Sequence, residues 1–452
     1  MSMKRRKFLS ISTLIGASAY LSPNILLSNP IKRSKLKLGF IGTGLRGQGM
    51  MRLATYRDDV DIPVICDIDS GMISKALKVL KNAGRPMPKV YNNGDEDFQN
   101  MLDNEDLDGV FIATPWEWHH PMSVAAMKAG KHVGTEVPAA LTVPDCWDLV
   151  NTSEQTGKFC MIMENVCYRR DVLAVLNMVR SGLFGELLHC QGGYQHDIRD
   201  VKFNSGSQPY GGGVEFGDKG YSESKWRTNH SINRNGDLYP THGLGPVSTM
   251  LNINHGNRMV HLTSTATQSR GLHNYVVQHG GPNHPNASID FKLGDIITTV
   301  IKCANGQTIM LSHDTNSPRP YSLNFRIQGT QGLWMKDSNS IYIEGVSPND
   351  HRWESDEKYL KKYDHPLWKK YENEAKGSGH GGMDFFVFRA FIESMKRDLD
   401  PPLDVYDAAS WSVISPLSEK SIKRNSASMK IPDFTRGKWK TSKPKFAIND
   451  IY

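Results

Sequence analysis

Residues 35–49 read KLKLGFIGTGLRGQG, a run of alternating and then continuous apolar residues that stops at Gly42, Gly44 and Gly47. By itself, G-x-G-x-x-G is weak evidence. Here it follows a strand, precedes a stretch that reads as a helix, GMMRLATY, and leads to a second strand, DIPVICD, ending in Asp67. That acid stands 67 − 44 = 23 residues beyond the middle glycine, where a carboxylate for a ribose hydroxyl belongs. Glycines let the backbone approach a pyrophosphate, and the N-terminus of the helix that follows favours its charge. The stretch predicts a dinucleotide site, and Asp67 predicts NAD over NADP because it would repel a 2′-phosphate.

Outward from this loop, strands and helices alternate. A helix around SKALKVLKNAG is followed by FQNMLDNEDL, the strand GVFIATP, the helix SVAAMKAG and the strand KHVGTEV. This alternation predicts an α/β fold with a doubly wound parallel sheet that takes ligands at the carboxyl ends of its strands. Three strand ends then matter: Thr114 to His119, Glu136, and Glu164 with Asn165. Trp116 and Trp118, flanking Glu117 beside His119, are expected to wall a cofactor pocket. In KHVGTEVPAA (131–140) the strand ends in one acid, Glu136, followed by Val137 and Pro138 with no basic side chain.

From about residue 161 the pattern changes. Segments such as ELLHCQGGYQH, RMVHLTSTATQ and DIITTVIKCANGQTIMLSHDT alternate apolar and polar residues around NG or QG turns, as antiparallel strands with one wet face do. Residues 197–235 and 271–290 are rich in Gly, Asn, Ser and His and read as long loops able to cover a pocket. Helices return at FFVFRAFIESMKRD and VYDAASWSVISPLSEKSIK, and the tail is expected to pack back on the first domain. The organisation is thus a leader at 1–33, a nucleotide-binding domain at 34–160 and a substrate domain at 161–452.

At 452 residues the chain is too long for one ordinary core, which agrees with two domains. Its formal charge of +7 includes six basic residues and no acid within residues 1–33, so the remainder carries about +1 (7 − 6) and nucleic acid is not an expected partner. That leader carries MKRRKFLS (3–10) and runs on through LSISTLIGASAYLS (9–22), too short to span a bilayer stably. It reads as a twin-arginine export signal, with Ala17 and Ala19 offering an A-x-A cleavage site and no Cys to carry a lipid. The expectations are a partner in the twin-arginine translocation machinery, a periplasmic or secreted destination and no stable membrane anchor. The six cysteines show no paired spacing and read as separate core thiols, and no metal-ligand spacing occurs.

The order of motifs resembles the Gfo/Idh/MocA oxidoreductases. Within that superfamily it is similar to glycoside hydrolase family 109, the NAD-dependent α-N-acetylgalactosaminidases. The resemblance runs from about residue 36 to Tyr452 and rests on PWEWHH, ENVCYRRD, GGYQHD, KWRTNH, LYPTHGLGP, SHDTNSPRPY and GHGGMDFF. It implies a Rossmann domain followed by an α/β domain with a large, open, mainly antiparallel sheet, and it admits a homodimer. It further implies NAD contacts at Leu45, Arg46, Asp67, Trp116, Glu117, Trp118, His119, Glu136, Val137 and Asn165. The sugar would lie against Tyr194, Arg227, Tyr239, His242 and Tyr321. Most relatives in the wider superfamily read Glu-Lys-Pro where this chain has Glu136-Val137-Pro138, and that lysine serves net oxidation.

The chemistry consistent with Tyr and His beside a dinucleotide site is redox-assisted elimination. The bound cofactor oxidises C3 of the sugar, the C2 proton becomes acidic, the aglycone leaves C1, water adds and C3 is reduced again. No net oxidation results, so NAD is retained, and nicotinamide-dependent glycosidases depart from the usual two-carboxylate plan in this way. Tyr194 is the expected C2 base, its anion favoured by Arg227 and a cationic nicotinamide, and His242, which only the resemblance singles out, is the expected acceptor of the O3 proton. His196 and Asp197 compete for that role or cap the following loop, and His380 reads as a helix start. The alternatives are a periplasmic sugar oxidoreductase with a retained cofactor and a non-catalytic sugar-binding protein.

Overall fold

A computed structural model describes residues 35–451, so the leader lies outside the described residues. The first domain is a six-stranded parallel sheet. Its elements are β1 (Leu36–Ile41), α1 (Leu45–Thr55), β2 (Val60–Cys66), α2 (Ser70–Asn82), β3 (Lys89–Tyr91), α3 (Asp97–Asn104), β4 (Gly109–Ile112), α4 (Trp116–Lys128), β5 (His132–Thr135), α5 (Val143–Thr156) and β6 (Cys160–Ile162). The strand order β3-β2-β1-β4-β5-β6 reverses between β1 and β4, which creates a crevice beyond the carboxyl ends of those two strands. Every residue of β4 and β6 is buried, as expected for strands covered by helices on both faces.

The second domain begins with α6 (Arg170–Arg180) and β7 (Leu187–Gln195), followed by α7 (Arg199–Lys202), α8 (Arg227–Asn233), α9 (Thr241–Met250), β8 (Met259–Ala266), α10 (Gly271–Gly280), β9 (Ile296–Cys303) and β10 (Thr308–Asp314). It continues through β11 (Arg326–Gly329), β12 (Gly332–Met335), β13 (Ser340–Ile343), β14 (Glu354–Ser355), α11 (Glu357–Lys362), α12 (Pro366–Ala375), α13 (Met383–Arg397), α14 (Val405–Ser412), α15 (Ile414–Lys423) and β15 (Met429–Lys430). Its nine strands run β14-β13-β12-β11-β7-β10-β9-β8-β15. All neighbours are antiparallel except the central pair β7 and β10, whose parallel register sets His313 beside Tyr194. Along β9, inward residues are buried and outward ones exposed or half-exposed, so one face is covered and the other wet. Helices α9 and α15 pack on the covered face.

Three expectations are revised. Residues 271–290 are not one loop: α10 forms because Leu272 and Val276, four residues apart, pack with Phe203, Val214 and Phe291 in a small satellite core. Tertiary burial overrides the weak helix preference of the Gly, Asn and His around them. Residues 197–235 contain the short helices α7 and α8, with a 3₁₀ turn at Ser222–Lys225 between them. The expected helix over 405–423 is broken between Ser412 and Ile414, because Pro416 cannot donate to the carbonyl of Ser412 and its ring crowds that turn.

The tail packs on both domains. Phe434 packs at a tilt against Trp147 of α5, and Arg436 and Lys438 pair with Glu154. Farther on, Arg180 of α6 donates to the carbonyl of Phe446. All six cysteines are buried and unpaired. Among the described residues, no helix is long and apolar enough to cross a membrane.

Candidate active site

The glycine loop is built as a nucleotide cradle. Gly42 turns the chain at φ +88°, a conformation that a side chain would strain. A Cβ on Gly47 would stand 2.1 Å from the carbonyl oxygen of Gly42, so this glycine lets α1 pack against the turn. A Cβ on Gly44 would meet nothing within 4 Å, which leaves that side open for a pyrophosphate. Gly44 also caps α1 without a side-chain hydrogen bond, so the first N–H groups of the helix remain available to an anion. Asp67 is held at the loop: its Oδ2 accepts from the Thr43 amide (2.5 Å) and hydroxyl (3.0 Å) and its Oδ1 from the Asp69 amide (2.8 Å). Oδ1, which accepts one hydrogen bond, keeps a second lone pair for a ribose hydroxyl. These residues fit NAD.

The glycine loop and α13 of the second domain are joined by a clasp. Arg46, in the first turn of α1, donates to Glu136 Oε1 at 2.6 Å and pairs with Asp384 Oδ2 of α13 at 2.7 Å. Asn165 donates to the other Asp384 oxygen at 2.7 Å, and His380, in a 3₁₀ turn just before α13, reaches Oδ2 at 2.7 Å. Burial alone would raise the Asp384 carboxyl, but Arg46 and His380 hold it well below the usual carboxylate range. Val137 contributes a buried core side chain, so any contact it makes to a ligand runs through its backbone.

The block PWEWHH divides between site and core. Trp116 stacks on Tyr239 with centroids 5.5 Å apart, meets Trp226 and His230, and carries the Arg227 guanidinium 4.9 Å from its ring. Trp118 instead packs against Phe98 of α3. Glu117 lies 3.5 Å from His230. The His119 ring is buried, with Nδ1 2.7 Å from the Pro138 carbonyl and Nε2 2.8 Å from that of Thr114, and so ties the end of β4 to the loop after β5.

In the second domain, β7 and α9 come into backbone contact. A Cβ on Gly192 would stand 2.2 Å from the carbonyl oxygen of Gly243, and one on Gly243 2.2 Å from the amide nitrogen of Gly193. The glycines of GGYQHD and THGLG are therefore what brings Tyr194 and His242 to 5.3 Å between ring centroids. Tyr239 lies 4.8 Å from Tyr194, and Tyr321 packs edge-on to His196 at 4.9 Å. Tyr194, His196, His242, Tyr321 and Asn165 face one cavity of about 1210 Å³.

Within it, the His242 Nδ1 is 2.7 and 2.9 Å from the two oxygens of Glu164, whose side chain has no solvent exposure. A carboxylate on Nδ1 holds the proton there and leaves Nε2 as the acceptor. Glu164 stands just beyond β6, at the carboxyl end of the sheet; that position was its signal, and only the structure pairs it with His242. The Tyr194 hydroxyl lies 3.1 Å from His196 Nδ1. Burial pushes the Tyr194 phenol up and Arg227 pulls it down without cancelling that effect, so Arg227 alone does not favour its anion. Burial also holds His196 below its ordinary value, as a neutral ring able to accept. Asp197 is taken by Arg199 at 2.8 and 2.7 Å, so it does not orient His196. Arg227 itself is 2.6 Å from Glu223. Asp384, Trp226 and His230 carried no local sequence signal for a role here, while His380, read as a helix start, begins the 3₁₀ turn before α13 and also reaches Asp384.

Comparison with known proteins agrees with both halves. Residues 36–164 match the model described as the oxidoreductase family, NAD-binding Rossmann fold, and residues 168–441 that of the glycosyl hydrolase 109 C-terminal domain. The chain is 51% identical over 457 residues to a glycosyl hydrolase family 109 protein of Stenotrophomonas maltophilia (strain K279a), covering 100% of both. It is 57% identical over 417 residues to an alpha-N-acetylgalactosaminidase of Tannerella forsythia, covering 91% of this chain and 89% of that one. Among solved structures, a levoglucosan dehydrogenase in complex with NADH shares the fold with a TM-score of 0.63 at 18% identity, over 88% of this chain and 100% of the other. A cradle shaped for NAD, a Tyr and His site in the second domain and these two matches lead to one assignment: the chain belongs to glycosyl hydrolase family 109, glycoside hydrolases on an NAD-binding oxidoreductase fold.

Proposed function

We propose that this enzyme hydrolyses terminal α-N-acetylgalactosaminides and returns its NAD unchanged after each turnover. The observation that carries the reading is the pairing of His242 with the buried Glu164 beside Tyr194, at the mouth of a nucleotide fold whose Glu136-Val137-Pro138 segment offers no proton carrier. NAD, when bound, supplies an oxidant for C3 that also restores C3 at the end. His242, its Nδ1 held by Glu164, takes the O3 proton at Nε2 and later gives it back. The Tyr194 oxygen takes the C2 proton as its own phenolic proton passes to His196 Nδ1. Arg227, Tyr239 and Tyr321 position the ring hydroxyls and the N-acetyl group. Asn165 and Glu136 lie where the nicotinamide end of the cofactor would be held.

Aryl α-N-acetylgalactosaminide release by the purified enzyme without added NAD, and without NADH accumulation, is the expected result. Unimpaired cleavage of the 3-deoxy analogue would sink the redox route, and a keto-sugar in place of the free aglycone would favour a sugar oxidoreductase. The proposal extends to export by the twin-arginine route to the periplasm. Changing Arg5 and Arg6 together to lysine is expected to hold the enzyme in the cytoplasmic fraction, and unchanged export would refute it.

A further inference from the structure

Two strand ends that flank the glycine loop are both held by one short segment of the second domain. Beyond β2, Asp69 caps α2 through Oδ1, which accepts from the Gly71 and Met72 amides at 2.9 and 3.1 Å, while its Oδ2 pairs with Lys225 Nζ at 2.8 Å. Beyond β4, Glu117 in the first turn of α4 lies 3.5 Å from His230, and Trp226 meets Trp116 edge-on at 5.2 Å. Between β2 and β4 in the sheet stands β1, which runs into Gly42 and Gly44. Two strand spacings make about 10 Å, and five helical residues, the separation of Lys225 and His230, rise about 7.5 Å. With its side chains the segment is therefore long enough to pass from one side of the glycine loop to the other.

The segment is built to hold its shape. Asn204, with no solvent exposure, donates to the Tyr221 carbonyl and the Ser224 hydroxyl at 2.9 Å each and accepts from the Tyr221 amide at 3.1 Å. Lys75 of α2 donates to the Tyr221 hydroxyl, which adds a second tie to the first domain. The attachment at Asp69 is also close to the cofactor cradle, because the Asp69 amide donates to Asp67 Oδ1 at 2.8 Å. Lys225 and Asp69 are both partly exposed, with 46% and 30% of their side chains accessible, so this pair can open into solvent while the Asn204 bonds stay made. A stiff segment fastened by an ion pair that opens at the surface has the construction of a lid.

We propose that residues 221–230 form a strap across the dinucleotide cradle and that the Lys225–Asp69 ion pair is its latch, setting how fast NAD enters and leaves. The proposal rests on the cradle alone and holds for a glycosidase and for an oxidoreductase alike. A latch made between residues of the chain acts on passage in both directions: releasing it speeds entry and exit together and leaves Kd nearly unchanged. A lysine that served by touching the cofactor would, when removed, speed exit alone and raise Kd. In the test, the full enzyme loaded with NADH is chased with excess NAD, the fall in nicotinamide fluorescence gives the exit rate, and titration with NADH gives Kd. Lys225→Ala is expected to speed exit about two- to fivefold, the scale of one partly exposed ion pair, with Kd changed less than about twofold. Lys225→Arg should keep the wild-type rate. Asp69→Asn keeps the cap of α2, since asparagine caps as well as aspartate, and should speed exit by the same factor; adding Lys225→Ala to it should change nothing more. Exit rates unmoved by either change, effects that multiply in the double variant, or a Kd that rises in step with the exit rate would overturn the latch. No glycoside enters the readout, so a failure of the glycosidase reading leaves this test intact.

Discussion

Replacing Glu164 with glutamine isolates the charge on the carboxylate that holds His242. Its Oε1 accepts from both the Val166 amide (3.0 Å) and His242 Nδ1 (2.7 Å), and a glutamine carbonyl placed there satisfies both. The side-chain NH₂ then replaces Oε2, which stands 2.9 Å from the same imidazole nitrogen. A hydrogen bond to a charged group contributes about 1.5–3 kcal/mol against about 0.5–1.5 for a neutral one, so the floor of the effect is about 1 kcal/mol. When His242 carries the O3 proton it becomes a cation, and two charges 2.7 Å apart at an effective dielectric of about 20 interact by about 6 kcal/mol, which sets the ceiling. A loss of about 2–4 kcal/mol lies between, equal to a fall in kcat of about 30- to 1,000-fold. Steady-state release from an aryl α-N-acetylgalactosaminide measures it, with thermal unfolding of both proteins as the control for structure. A folded Glu164→Gln enzyme within threefold of wild type would refute the role given to this carboxylate.

Asp384→Asn removes the acid shared by Arg46, Asn165 and His380 while Arg46 keeps Glu136, so the expected cost is about 2 kcal/mol, about 2–3 °C in Tm for a chain of this size, together with less NAD retained through purification. Unchanged Tm and NAD content would show that the clasp is idle. Burial pushes the Asp237 carboxyl from 3.8 to about 7, so the folded protein keeps a proton that the unfolded chain releases; this contribution is complete below about pH 4 and is lost as pH rises through about 7. At 1.36 kcal/mol per pH unit the limit is about 4 kcal/mol, and Asp237→Asn should therefore raise Tm at pH 8 by more than at pH 5; equal shifts at both would contradict it. Trp116→Leu removes the ring that carries Arg227 and stacks on Tyr239, and a cation–π contribution of about 0.5–2 kcal/mol predicts a KM increase of about 2- to 30-fold with a smaller change in kcat. A selective loss of kcat would instead place Trp116 at the reacting atoms.

Much of the first domain was legible in the chain because its signals are local. The strand that runs into Gly42, Gly44 and Gly47 and the acid at Asp67 each report a backbone that only a few geometries satisfy, and in the structure β1, the glycine turn and Asp67 meet at one loop. The open sheet of the second domain was legible from two-residue alternation, which β9 shows directly. The satellite helix α10 was not, since two apolar residues among Gly, Asn and His become a helix only against Phe203 and Phe291. The division of labour between Trp116 and Trp118 was equally hidden, because two residues in one helical turn point to different neighbours and only packing names them.

By itself, then, the sequence determined a nucleotide fold that takes NAD, a second domain of half-wet strands and a strand end without the lysine of a dehydrogenase. The first two follow from periodicity, glycine geometry and residue type, properties of neighbours along the chain, and the third from the resemblance to the wider superfamily. Tertiary structure alone decided the pairing of Glu164 with His242, 78 residues apart, and of Arg46 with Asp384, 338 apart (384 − 46). No local pattern encodes such pairs, because they form only when β7 and α9 close to backbone contact through Gly192 and Gly243 and when α13 returns to the first domain.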